Sequence, residues 1–246
     1  MRGSVLERIA RAACPEPPEP LVIEIGPGKG ALTERLLRRA ARVVAIEMDR
    51  DLVDYLHRKF SGVAALTLIA GDARQTDLGQ WGPAAIAGNL PYYAATPILE
   101  QVAALGDSLR RGVFLIQKEV AARLTAQPGT REYGYLTVRT RLFAEVRALS
   151  DVKPAAFQPP PKVDSTVILL EPRGRAAELS IGNTGAFLEF VSQAFQHKRK
   201  TLRNNLAPAL GKSIVDAWPE ASMRAEQLSL EQFAALYHRA AASLSK

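Results

Sequence analysis

The sequence has a single cysteine, Cys14, which excludes an intrachain disulfide and a cysteine-based zinc site. Histidine is nearly as scarce: His57, His197 and His238 are scattered and suggest no metal cluster. No apolar run approaches the roughly 18–20 residues of a bilayer-spanning helix. Met1-Arg2-Gly3-Ser4 leads straight into a helical pattern, without the apolar stretch of a secretory signal. There is no Gly-x-Ser-x-Gly elbow and no Walker-type Gly-x-x-x-x-Gly-Lys-Ser/Thr phosphate loop. Together these gaps make a reducing compartment, the cytoplasm, the simplest home. Acid is in the minority too: 25 Asp and Glu stand against 32 Lys and Arg, a formal charge of +7.

What is present is the mix of a globular protein, 47% hydrophobic and 23% charged over 246 residues. That length suits one large domain, or a medium and a small one. The basic excess points to a polyanionic partner, nucleic acid or an anionic membrane face. It is concentrated late: from Arg173 onward there are ten basic and six acidic residues.

A short helix is expected over 4–13, stopped by the prolines of 15–20, which lack the amide hydrogen a helix needs. Apolar runs at 21–25, 42–47, 66–69, 84–87 and 112–117 then alternate with helical patterns at 31–40, 49–60, 96–105 and 118–126. Unbroken apolar strands between helices suit a parallel sheet covered on both faces, an α/β fold. Thr96-Pro97 reads as an N-cap followed by a proline at the first helical position. After a helix at 133–143, strands at 145–152 and 165–170 are joined too closely for a crossover, so an antiparallel hairpin should end the sheet. Beyond residue 173 the patterns at 187–195, 198–206, 212–218 and 230–244 are all helical. A boundary is placed near 173–182, giving domains 1–175 and 176–246.

Four strand ends carry the chemistry. Glu24-Ile25-Gly26-Pro27-Gly28-Lys29-Gly30 follows the first strand, where glycines let the backbone approach a ligand. Glu47 ends the second strand, placed to accept from both hydroxyls of a ribose. Gly26, Gly28 and Ala31 fit the dinucleotide pattern, and the loop equally fits the pattern of S-adenosylmethionine (SAM) sites. Asp72 ends the third strand, as an acceptor for an adenine amine or as a helix N-cap. Asn89-Leu90-Pro91-Tyr92 ends the fourth. Methylating an adenine amine requires drawing its lone pair out of the ring. Two acceptors on its hydrogens, the Asn89 side chain and the Leu90 carbonyl, would do this, with Tyr92 stacking the extruded base. Phe157, in the proline-rich loop 157–165, suits the base's other face or plugs the core. Lys198, Arg199, Lys200 and Arg203 form a basic helical segment suited to phosphates or a solvated face, which Arg131 and Lys118 would extend.

On these segments the chain resembles the KsgA family of ribosomal RNA small subunit adenine dimethyltransferases. The matching stretches are 24–30, 45–51, 71–73, 88–92, 117–123, 157–165 and 198–206, in the family's order. The resemblance implies a seven-stranded class I SAM-dependent methyltransferase domain with an antiparallel final hairpin, followed by a small helical domain. It implies dimethylation of two adjacent adenosines near the 3′ end of 16S rRNA within the 30S subunit or its precursor. Gly26, Glu47, Asp72 and Asn89 match cofactor positions, joined by Gly28 on the same loop. Asn89 doubles as the catalytic acceptor, and Tyr92 and Phe157 match base-stacking positions. A monomer with no membrane or metal requirement is expected. Members usually carry a basic leader ending in Phe-Gly-Gln-Asn-Phe-Leu, which is absent here, and weaker SAM binding is the expected consequence. Two other readings are an Erm-like methyltransferase of 23S rRNA and a non-catalytic RNA-binding assembly factor on the same scaffold.

Overall fold

The computed structural model describes residues 1–244. The chain divides into two compact units, Met1–Ala121 with Ala144–Pro172, and Ala122–Phe143 with Arg173–Lys246.

The first unit is built on one seven-stranded sheet: β1 (Val22–Ile25), β2 (Val43–Glu47), β3 (Leu66–Ala70), β4 (Ala84–Asn89), β5 (Leu109–Gln117), β6 (Ala144–Val152) and β7 (Ser165–Pro172). Their order is β3-β2-β1-β4-β5-β7-β6. The first five are parallel, and β7 runs antiparallel to both β5 and β6. The expected final hairpin is thus present, with β7 inserted between β5 and β6. Strand residues on one face, among them Val22, Ala85, Val113 and Val167, share a core with Val5 and Ile9 of helix α1 (Gly3–Ala13). Ile23, Ile86 and Phe114 are equally buried on the other face, as strand alternation requires. Cys14 is fully buried in the first core, and burial pushes its thiol up to about 11, so it is inert. Among the described residues no helix is long and apolar enough to cross a membrane.

Helix α3 (Arg50–Lys59) starts where its sequence signals: the Asp49 carboxylate accepts from the amides of Asp51 (2.9 Å) and Leu52 (3.3 Å). Two expectations fail. The pattern over 31–40 yields only a four-residue α2 (Thr33–Leu36), because backbone bonds around it are partly of the tighter i to i−3 kind, as from Arg35 to Leu32 and Arg39 to Leu36. Helix α4 (Ala95–Ala103) begins before Thr96, with Ala94 at the N-cap and no side-chain cap. Pro97 falls within the first turn, where its missing amide costs nothing.

The second unit gathers α6 (Tyr135–Phe143), α7 (Arg175–Glu178), α8 (Thr184–Ala194), α9 (Leu202–Leu210), α10 (Lys212–Asp216) and α11 (Leu230–Leu244), following α5 (Lys118–Thr125) in the chain. Its core holds Val138 and Leu142 together with Phe187, Leu206, Trp218 and Phe233. The division is therefore discontinuous, unlike a single break after residue 175. Residues 122–143 belong with the C-terminal helices because the apolar face of α6 is buried among them, and the Tyr133 ring lies 6.3 Å from that of Phe195.

The expected helix over 198–206 is also corrected. Lys198, Arg199 and Lys200 lie in a turn before α9. The turn is pinned by Asn205, which is only 4% exposed. Asn205 accepts from the His197 amide (3.2 Å) and donates to the carbonyls of Ala194 (2.7 Å) and His197 (3.3 Å). A side chain with this many local backbone bonds competes with a continuous helix.

Candidate active site

The carboxyl ends of β1 to β4 surround a cavity of about 840 Å³. It lies where strand order reverses between β1 and β4, the usual ligand position in an open α/β sheet. Of the residues singled out from sequence, Gly26, Glu47, Asp72, Asn89, Leu90, Tyr92 and Phe157 all line it. Gly28 does not line it but acts on it through Glu47. Lys198, Arg199, Lys200 and Arg203 belong to the second unit.

The glycine loop is shaped from both directions. Gly26 and Gly28 have φ of +68° and +57°, a region that side chains disfavour. Gly30 is required by space: a Cβ there would stand 2.6 Å from the Phe60 ring. The Gly28 amide donates to Glu47 Oε2 at 3.0 Å, while Oε1 accepts from Met48 (2.9 Å) and Asp49 (3.1 Å). Three backbone donors thus hold Glu47, which is 7% exposed, in one orientation at the cavity wall. Oε2 retains room for a further donor.

Glu24 braces the same loop from below. It is fully buried and accepts from the Thr33 hydroxyl at 2.6 Å. Burial pushes its carboxyl from the usual 4.5 up to about 7, opposed by the Thr33 bond and reinforced by the nearby charge of Glu47. Below pH 4.5 folded and unfolded chains both carry the protonated acid, and its contribution to stability is fully present. As pH rises from 4.5 towards 7 the unfolded chain gains by ionising first, and roughly 3 kcal/mol is lost. Glu24→Gln should abolish this slope. Urea midpoints should match wild type at about pH 5 and exceed it at about pH 8, on either side of the shifted carboxyl. A variant no more stable than wild type at the higher pH refutes the assignment.

Asp72 departs from an open acceptor. Its carboxylate is forked by Arg74, with Nη2 at 2.6 Å and Nε at 3.1 and 3.0 Å from the two oxygens, and it also accepts the Arg74 amide. These bonds hold the carboxyl below its ordinary range. It caps a turn and belongs to the cavity at once. Arg74 itself lines the cavity, as does Tyr93; neither was singled out from sequence, since an exposed Arg and a second Tyr carry no pattern.

At the end of β4 the backbone is stiff. The Leu90 amide donates to the Leu115 carbonyl (3.1 Å), its side chain is 2% exposed, and the Ala94 amide closes the turn on the Pro91 carbonyl (3.0 Å). Pro91 fixes its own φ. Among the described residues, nothing bonds the Asn89 side-chain amide or the Leu90 carbonyl. Two acceptors therefore stand unspent on a rigid corner. Phe157 is half-buried: it packs on the core and also lines the cavity.

Strand order, glycine loop and an acidic residue at the end of β2 define a class I SAM-dependent methyltransferase. The cavity fits that cofactor: an oriented carboxylate able to accept from hydroxyl groups stands beside backbone that no side chain obstructs. Residues 3–242 match the family model described as ribosomal RNA adenine dimethylase, and the chain belongs to that family. It is 41% identical over 226 residues to the ribosomal RNA small subunit methyltransferase A of Acidobacterium capsulatum, covering 88% of this chain and 80% of the relative. The crystal structure of a dimethyladenosine transferase from Plasmodium falciparum shares the fold, with a TM-score of 0.81 at 22% identity over 100% of this chain and 97% of that one. The 23S rRNA methyltransferase ErmE superposes with a TM-score of 0.73 at 25% identity over 97% of each chain.

Proposed function

We propose that this enzyme converts two adjacent adenosines near the 3′ end of 16S rRNA to N6,N6-dimethyladenosine, in the 30S subunit or its cytoplasmic precursor. The observation that carries the reading is the pair of unspent acceptors at Asn89 and Leu90, on a stiff corner beside a SAM-sized cavity. When bound, SAM supplies an electrophilic sulfonium methyl. Glu47 holds the ribose, Gly26 and Gly28 keep the loop clear, and Asp72 takes the adenine amine at the acceptor position that the Arg74 fork leaves free. The Asn89 oxygen and Leu90 carbonyl accept the two N6 hydrogens of the target, which localises the nitrogen lone pair and aims it. Tyr92 and Phe157 stack the extruded base.

The test is to incubate under-methylated 30S subunits with the protein and labelled SAM, then examine 3′-terminal 16S fragments by mass spectrometry. Two dimethylated adenosines are expected. Label on 50S subunits instead would favour the activity named for ErmE, and label on neither would refute both.

The basic turn is read as a phosphate-binding element. Its members are not equivalent. Lys198 donates to the Arg131 carbonyl, and Arg203 pairs with Asp216 at 2.6 Å. Arg199 and Lys200 are exposed, and among the described residues neither has an ion-pair partner. Lys200→Glu should therefore weaken RNA binding more than Arg203→Glu. It should also flatten the salt dependence, by roughly 0.7 log units for each phosphate that the variant no longer neutralises. Filter binding across a salt series measures both; equal weakening by the two variants would remove the distinction.

A further inference from the structure

Tyr93 is 66% exposed, more than any other large hydrophobic side chain described. An exposed tyrosine is ordinarily free to move, yet this ring is held at two points. Its hydroxyl donates to Met48 Sδ at 3.3 Å, and the Arg74 guanidinium lies 5.8 Å from the ring centre. Arg74 is in turn fixed by its fork on Asp72. Met48, Arg74 and Tyr93 come from the ends of three different strands and all line the same cavity. Ordering a ring costs conformational entropy, and here little burial offsets that cost. The ring has a cation beside it, stays largely exposed and lines the cavity next to Tyr92.

A flat, pre-ordered aromatic face beside a cation suits a nucleobase with its phosphate. We propose that Tyr93, backed by Arg74 and tethered by Met48, is the stacking platform for the nucleotide flanking the target adenosine. This rests on the RNA reading above and adds a second base subsite to it. With adjacent targets, each adenosine occupies the platform while the other occupies the pocket.

The test uses the full chain and a fluorescent RNA hairpin with two adjacent adenosines in its loop, titrated by anisotropy. Tyr93→Ala should weaken binding about ten-fold, whereas Tyr93→Phe, which keeps the ring, should stay within about three-fold of wild type. Removing the base of one of the two adenosines should cost wild type about the same ten-fold and cost Tyr93→Ala nothing further. SAM affinity, measured by calorimetry, should be unchanged in both variants. The proposal is overturned if base removal penalises wild type and Tyr93→Ala equally. It is also overturned if Tyr93→Ala loses SAM affinity, which would make the ring a cofactor lid. Methylation of under-methylated 30S subunits is followed separately: base-removal coupling on the hairpin without any labelled adenosine in the subunits would keep the platform and refute the methyl-transfer reading.

Discussion

Asn89→Ala should lower single-turnover methylation about 10²–10³-fold, the scale set by removing one preorganised polar group from a reaction centre. The physical reason is specific to an aromatic amine. Its nitrogen lone pair is delocalised into the ring, so the amine attacks a methyl group only if its geometry is drawn toward a tetrahedron. One acceptor of the pair at Asn89 and Leu90 is a backbone carbonyl and survives every side-chain substitution, so the alanine variant should keep residual activity. The corner itself should persist, since its stiffness comes from Pro91, the buried Leu90 side chain and the Leu90–Leu115 bond. SAM affinity should therefore fall less than about ten-fold, the cost of about one hydrogen bond. Asn89→Asp, which retains an acceptor, should recover part of the rate. Rapid-quench methylation of 30S subunits alongside calorimetry with SAM separates the two effects. A variant as fast as wild type would refute the mechanism.

Gly88→Ala should destabilise the first unit by about 2–3 kcal/mol, the upper part of the overpacking range, and abolish tight SAM binding. A Cβ at this position would stand 2.5 Å from the Ile25 carbonyl oxygen and 3.3 Å from Leu90 Cδ2. The Ile25 oxygen is backbone, and it sits in the paired register of β1 and β4, so it cannot rotate aside. Only separation of the two strands relieves the clash. Those strands carry Gly26 and Asn89 on either side of the cleft, so the fold and the cofactor site are lost together. Urea denaturation followed by tryptophan fluorescence should show the lower midpoint. A midpoint within experimental scatter of wild type would mean that the strands tolerate a wider spacing.

Much of the parallel sheet is visible in sequence because its strands are buried on both faces and read as unbroken apolar runs. The same holds for Asp49, whose cap depends on amides two and three residues away. The helix over 31–40 misleads because its apolar spacing is right, while the bonding around Leu32 and Leu36 tightens the turns. The basic turn misleads for a different reason. Asn205, five to seven residues beyond it, holds it out of helical geometry through bonds to Ala194 and His197. Asp72 shows the same limit: its partner Arg74 is two residues on, but no pattern tells a forked ion pair from a free acceptor.

The order of strands and helices, the four strand-end motifs and the family they belong to are properties of local residue types and spacings, and the chain carries them in full. Three things depend on residues brought together from far apart. Residues 122–143 join the C-terminal helices because their apolar face is buried there. The need for glycine at position 88 comes from the nearness of the β1 backbone. The ordered, exposed ring of Tyr93 depends on Met48 and Arg74 from other strand ends. Burial and steric exclusion act between neighbours in space, and neighbours in space are settled only when the sheet has closed.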